Sequence, residues 1–103
     1  MTKILLVCNL GMSTSMLVQK MEKEAVERGI EVEIAAVPIR VAENEYSHYQ
    51  IIMLGPQVRH EYKGLKAKIG EAVPIEIIDM RDYGTMNGKN VLEAALKVIA
   101  AHQ

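Results

Sequence analysis

The 103-residue chain has one cysteine, three prolines, and neither phenylalanine nor tryptophan. A single cysteine cannot close an internal disulfide, which fits a reducing compartment. It leaves Cys8 as either a small buried hydrophobe or a reactive thiol. Without Phe or Trp, the core has to be assembled from Ile, Leu, Val, Met and Ala. No apolar run approaches the roughly 20 residues that a membrane-spanning helix needs. The opening residues carry no signal-peptide pattern, because Lys3 leads into only a short apolar run ending at Cys8. An excess of one charge is also missing: 12 basic and 13 acidic residues give a formal net charge of −1. A nucleic-acid binder would show a basic stripe, and with none here nucleic acid is not an expected partner. None of the three histidines has metal-ligand spacing with Cys8, so neither metal nor cofactor is expected.

What is present is a chain half apolar and of a length that forms one domain, residues 1–103. Ile4 to Val7 is a continuous apolar run and reads as a buried strand. From Thr14 to Arg28, Leu17, Val18, Met21 and Ala25 fall at helical spacing, with Ser13 or Thr14 able to cap the start and Gly29 placed to end it. Ile30 to Ala36 alternates with Glu31 and Glu33 and reads as a strand near an edge, broken by Pro38. Residues 39–48 are polar and weakly patterned, a connection with one or two helical turns. Gln50 to Gly55 is the second continuous apolar strand. Val58 to Gly70 is expected as a helix, Ile75 to Ile78 as an edge strand bearing Glu76, and Asp79 to Gly88 as a turn-rich segment. A last helix runs from about Lys89 to Ala101.

Strands alternating with helices indicate a parallel sheet with helices on both faces, a three-layer αβα fold. The two fully apolar strands belong at the centre, and right-handed crossovers give the order 2-1-3-4. Ligands in such sheets bind beyond the carboxyl ends of the strands, at the switch between the first and third. Cys8 ends the first strand and Gly55-Pro56-Gln57 follows the third, so both fall at that crevice.

The loop Cys8-Asn9-Leu10-Gly11-Met12-Ser13-Thr14-Ser15 joins that strand to a helix. A helix N-terminus presents unpaired N–H groups and a partial positive charge, which binds anions and favours thiolate over thiol. Gly11 permits close backbone approach, and Ser13, Thr14 and Ser15 offer hydroxyl donors. The loop is not a nucleotide P-loop, which ends Gly-Lys-Ser/Thr, nor a thioredoxin-like site, which needs a second cysteine. It looks like the phosphate loop of cysteine-dependent tyrosine phosphatases, except that Thr14 stands where those have an arginine. The arginine clamp contributes several kcal/mol to phosphoryl chemistry. Its absence points to a carrier that hands the group on intact.

With Leu54-Gly55-Pro56-Gln57 and Asp79 to Gly84 at matching places, the chain resembles the EIIB subunit of the phosphoenolpyruvate-dependent sugar phosphotransferase system, lactose/cellobiose (chitobiose) type. The resemblance implies a phosphotransferase in which Cys8 accepts phosphate from a phosphohistidine on the EIIA subunit. The phosphate then passes to a sugar, a β-linked disaccharide such as cellobiose, chitobiose or lactose, held by the membrane EIIC permease. It also implies that the amides of Asn9, Leu10, Gly11, Met12, Ser13, Thr14 and Ser15 cradle the phosphate. A cytoplasmic protein peripherally associated with the permease follows from the same resemblance, and with no long apolar patch demanding a partner the chain is expected to be monomeric alone. The alternative is a low-molecular-weight phosphatase-like hydrolase or thiol reductase; the missing arginine and lone cysteine count against it. A response-regulator receiver is set aside because Leu54 and Val7-Cys8 stand where it needs acidic residues.

Gln57 and Tyr83 are further candidates at the crevice, each readable as a phosphate or partner contact or as an ordinary packed residue. Arg59 and His60 suit an acidic partner surface better than catalysis. His48 belongs at the opposite end of the sheet and His102 in the tail.

Overall fold

The computed structural model describes residues 1–8 and 12–102, Met12 and Ser13 by backbone only. Four strands, β1 (Thr2–Val7), β2 (Val32–Val37), β3 (Ile51–Leu54) and β4 (Ile75–Ile77), form one parallel sheet in the order β2-β1-β3-β4. Among the described residues five α-helices connect and follow them: α1 (Met12–Glu27), α2 (Ile39–Glu45), α3 (Tyr62–Ile69), α4 (Met80–Gly84) and α5 (Gly88–His102). This is the three-layer αβα fold of order 2-1-3-4 that the pattern of apolar and acidic residues predicts.

The central strands are central because nothing polar interrupts them. Ile4 to Val7 and Ile51 to Leu54 are at most 1 % exposed. They pair in register, Ile4 opposite Ile51 through Val7 opposite Leu54. Side chains alternate between faces, so each strand feeds two cores. Ile4, Leu6, Ile51 and Met53 pack with Leu17, Met21 and Ala25 of α1 and with Val91, Leu92 and Ala95 of α5. Leu5, Val7, Ile52 and Leu54 pack on the opposite face with Ala42 of α2 and with Leu65 and Ile69 of α3. Each Leu, Ile, Val or Met among them contributes about 1.5–3 kcal/mol on full burial. Glu33 and Glu76 lie on the two outer strands, where a carboxylate can reach water.

Local chemistry moves several boundaries away from the sequence expectations. The first helix begins at Met12, so Ser13 and Thr14 lie inside it rather than capping it. β2 begins at Val32 because the N–H of Ile30 donates to the carbonyl of Ala25 (2.9 Å), closing α1 around Gly29 at φ 70°. That left-handed turn is a glycine conformation. The connection 39–48 is more ordered than its composition suggests: α2, then a 3₁₀ turn at Tyr46–His48. The helix expected over Val58 to Gly70 is divided into a 3₁₀ run, Pro56–Glu61, and α3. Inside the 3₁₀ run Val58 leaves helical geometry, with φ −114° and ψ 19°. Within the segment 79–88 the chain forms α4, whose cap is Asp79, its carboxylate accepting from the N–H groups of Arg81 (2.9 Å) and Asp82 (3.0 Å).

Candidate functional site

Cys8 is the first residue beyond β1, and its N–H donates to the carbonyl of Val37 at 3.1 Å, carrying the β1–β2 ladder one step further. On the other side, the N–H of Gly55 donates to the carbonyl of Val7 at 2.9 Å. The cysteine therefore stands where the chain leaves β1 between β2 and β3, at the carboxyl-end switch point of the sheet. It is buried, with 7 % of its surface exposed. The first helical residue of α1, Met12, follows four positions later, and the first turn of α1 contains no acidic residue. The positive end of that helix is thus not countered by a carboxylate of its own.

Thr14, in the first turn of α1, is 1 % exposed. Its Oγ1 lies 3.0 Å from the Oη of Tyr83, in α4. The hydroxyl at the position where phosphatases carry arginine is therefore turned toward another side chain. Ser15 is exposed on α1. Asn9, Leu10 and Gly11 lie outside the described residues, as do the side chains of Met12 and Ser13.

Gly55 explains how the crevice keeps its shape. A methyl group on it would come 3.1 Å from Gln57 Oε1, 3.4 Å from the Val7 carbonyl and 3.5 Å from the Tyr83 ring. The absence of a side chain lets β1, Gln57 and Tyr83 converge on one point. Beside them opens a shallow cavity of about 310 Å³ lined by Pro56, Gln57, Arg59, Met80, Tyr83 and Gly84. Arg59 is steadied there by a long hydrogen bond from Nη1 to the Pro56 carbonyl, 3.4 Å. Met80 is 65 % exposed, an apolar side chain held in water at the rim.

The structure thus groups Gln57 and Tyr83 at the end of β3, next to β1, as their places after β3 and β4 require. His60 does not line the cavity; its side chain is 69 % exposed and lies 3.6 Å from the carboxylate of Glu61. His48 sits in the 3₁₀ turn preceding β3, at the amino end. Sequence reasoning missed the Thr14–Tyr83 pair and the packing role of Gly55. The signal available for Gly55 was its position directly after an apolar strand and before a proline. Among the described residues, no three His, Cys, Asp or Glu side chains gather as metal ligands. No helix among them is long and apolar enough to cross a membrane.

Comparison with known proteins agrees with this arrangement. Residues 3–94 match the family of the PTS system, lactose/cellobiose-specific IIB subunit. The galactose-specific EIIB component of Lactococcus lactis is 43% identical over 99 residues, covering 89% of this chain and 91% of its own. The oligo-β-mannoside-specific EIIB component of Bacillus subtilis is 38% identical, covering 96% and 97%. The solution structure of the cellobiose-specific IIB component from Borrelia burgdorferi superposes with a TM-score of 0.84. It is 40% identical and covers 99% of this chain and 94% of that one. The match along nearly the whole sequence and the shared fold together place the chain in the lactose/cellobiose IIB family, whose work is phosphoryl transfer to sugar within the phosphotransferase system.

Proposed function

We propose that Cys8 is the residue on which the phosphoryl group travels, received from a phosphohistidine of a IIA subunit and passed to a sugar held by the membrane IIC permease. The observation that carries this is the place of Cys8: it leaves β1 at the switch point, four residues before the positive end of α1. In the first half-reaction its thiolate sulfur attacks phosphorus. The S–P bond forms as the N–P bond breaks, and the bonding electrons remain on the imidazole nitrogen. In the second, a sugar hydroxyl oxygen attacks the same phosphorus. The O–P bond forms, the S–P bond breaks, the thiolate is restored, and the hydroxyl proton passes to a general base at the acceptor site. The loop amides from Asn9 to Ser15 supply the donors that hold the phosphate oxygens in both steps.

Burial supports a carrier rather than a hydrolase. With 7 % of Cys8 exposed, the fold shields the residue itself, and a docked partner presenting a phosphohistidine keeps water from the phosphorus. Thr14 in place of an arginine removes the cation that would stabilise attack by water. Gln57, Arg59 and Met80 form a rim of mixed polarity suited to a protein partner. The substrate class we assign is a β-linked disaccharide such as cellobiose, chitobiose or lactose, since relatives are named for cellobiose, galactose and oligo-β-mannoside. The working location is the cytoplasmic side of the permease.

The test is intact-mass analysis with phosphoenolpyruvate, the general phosphotransferase proteins and a IIA subunit. The wild-type chain gains the mass of one phosphoryl group, and Cys8→Ser gains none while keeping its fold. Normal labelling of the serine variant would place the acceptor elsewhere and end the proposal.

A further inference from the structure

We infer that Tyr83 is a positioning residue for phosphoryl transfer: its hydroxyl holds Thr14, and through Thr14 fixes the first turn of α1 relative to the end of β1. Thr14 is the one polar side chain buried among the described residues. A buried hydroxyl without a partner is costly, and the 3.0 Å contact to Tyr83 supplies one across a sequence separation of 69 residues. The contact joins the β1–α1 segment to the β4–α4 segment, spanning β3, which lies between β1 and β4.

The Tyr83 side of the pair is itself held in several directions. Asp79 caps α4 through the N–H groups of Arg81 and Asp82, which sets the register that points Tyr83 inward. The Asp82 carboxylate accepts from Asn90 Nδ2 at 3.0 Å, tying α4 to α5. The ring lies over Gly55, 3.5 Å from where a methyl group would stand, and packs against the core that α1 and α5 share. A hydroxyl so fixed is a reference point. Thr14, attached to it, carries the backbone amides of the α1 first turn, which are the groups that must meet phosphate oxygens as charge shifts between donor nitrogen and sulfur. Small misplacement of such donors costs rate rather than binding.

This inference rests on the reading that Cys8 carries the phosphoryl group, and the experiment separates the two. Transfer from phosphorylated IIA is followed at steady state for the wild type, Tyr83→Phe, Thr14→Val, Thr14→Ser and the double variant Tyr83→Phe/Thr14→Val. Amide NMR spectra check that each is folded. Tyr83→Phe and Thr14→Val are each expected to lower kcat about tenfold, the scale of one hydrogen bond realised in the transition state, with KM for the donor unchanged. The double variant should be no slower than either single one. Thr14→Ser, which keeps the hydroxyl, should return to within about twofold of wild type. The ³¹P resonance of the phosphorylated protein should move in Tyr83→Phe.

A Tyr83→Phe variant with wild-type kcat and an unmoved ³¹P resonance overturns the inference. So do losses that add in the double variant, and so does an effect confined to KM, which would make Tyr83 a partner contact. In all three cases Cys8-dependent labelling leaves the carrier reading standing. Labelling of Cys8→Ser overturns that reading instead.

Discussion

The two helical layers cover the same sheet, yet they are built differently. On one face lie α1 and α5, of 16 and 15 residues. On the other lie α2 and α3, of 7 and 8 residues, each adjoining a 3₁₀ segment. Among the described residues an ion pair crosses each layer: Arg28, just past the end of α1, to Glu93 of α5 at 3.5 Å, and Lys68 of α3 to Glu43 of α2 at 3.1 Å. Exposed pairs of that kind contribute little, so they do not account for the contrast. Backbone proximity does. Gly88 of α5 lies so close to α1 that a methyl group there would stand 2.6 Å from the carbonyl carbon of Lys20 and 2.7 Å from the amide nitrogen of Met21. Gly64 of α3 has no atom within 4 Å of the same place. The long-helix layer also receives Tyr83 in its core and carries Thr14. The face with no slack is thus the one that supports the proposed phosphate side of the crevice, while the looser face contributes the rim residues Gln57 and Arg59.

Gly88→Ala should show this contrast most strongly. The clash is with backbone, which cannot rotate away as a side chain end can, so α5 must lift from α1. Overpacking of this sort costs roughly 1–3 kcal/mol, and we expect the upper part of that range. Urea denaturation would read it as a lower midpoint with an unchanged slope. An unaltered midpoint would mean that the two helices can separate without loss, and the argument from backbone proximity would fail.

Next in size is the cap of α4. Asp79→Ala removes the acceptor for two N–H groups and should cost about 1 kcal/mol. The effect is local to the segment that presents Tyr83, so transfer rate should fall alongside stability. Asp79→Asn, which retains a capping oxygen, should recover most of both. Thermal unfolding together with the phosphoryl-transfer assay checks this pair. If alanine and asparagine behave alike, the carboxylate oxygen is not what organises α4.

Much of the frame was legible before any coordinates, and the reason is the same in each case. Ile4 to Val7 and Ile51 to Leu54 contain no polar residue, which only a strand buried on both faces tolerates. Glu33 and Glu76 are tolerable only near an edge, and the order 2-1-3-4 follows. What stayed hidden depended on contacts between distant segments or on single backbone turns. Ile30 reads as a strand residue by alternation, but the Schellman-type closure around Gly29 takes its N–H. Val58 fits a helical pattern, yet the run opened by Pro56 forces it out of helical geometry. At the site, Cys8, Gln57 and Tyr83 were legible because each follows a strand. The Thr14–Tyr83 contact was not, since nothing in either neighbourhood announces a partner 69 residues away. The amides of Asn9 to Gly11, which the resemblance also assigns to the phosphate, lie outside the described residues.

The same glycine comparison sharpens in the opposite direction at Gly64. It is exposed, lies within α3 and meets nothing, so alanine there removes the backbone freedom of glycine in the unfolded chain without a clash. Gly64→Ala should raise stability by about 0.5–1 kcal/mol. The transfer rate should not change, because no residue of the proposed crevice lies in α3. A loss of stability would show that the second layer is as tightly fitted as the first, and the contrast between the layers would disappear.

The smallest effect belongs to the Lys66–Glu71 pair at the end of α3. Lys66 Nζ donates to both carboxylate oxygens of Glu71, at 3.1 and 2.8 Å. That hydrogen bond, followed by the charge of Lys66, lowers the pKa of Glu71 below its ordinary value. In turn the bond that Lys66 donates to Glu71 raises the pKa of Lys66 above its own. For the carboxyl, the folded state holds its proton less firmly than the unfolded chain. Its contribution is therefore present above the ordinary carboxylate range and is lost as pH falls through the depressed folded value. For the ammonium the sense is reversed: the contribution is complete below the ordinary lysine value and is lost as pH rises through the elevated one. Glu71→Gln should accordingly lower Tm slightly across the neutral range, with the difference from wild type vanishing toward strong acid and strong base. Both groups are exposed, so salt should shrink the difference as well. A Tm difference that persists unchanged into acid would assign the role of Glu71 to packing at the α3 terminus rather than to charge.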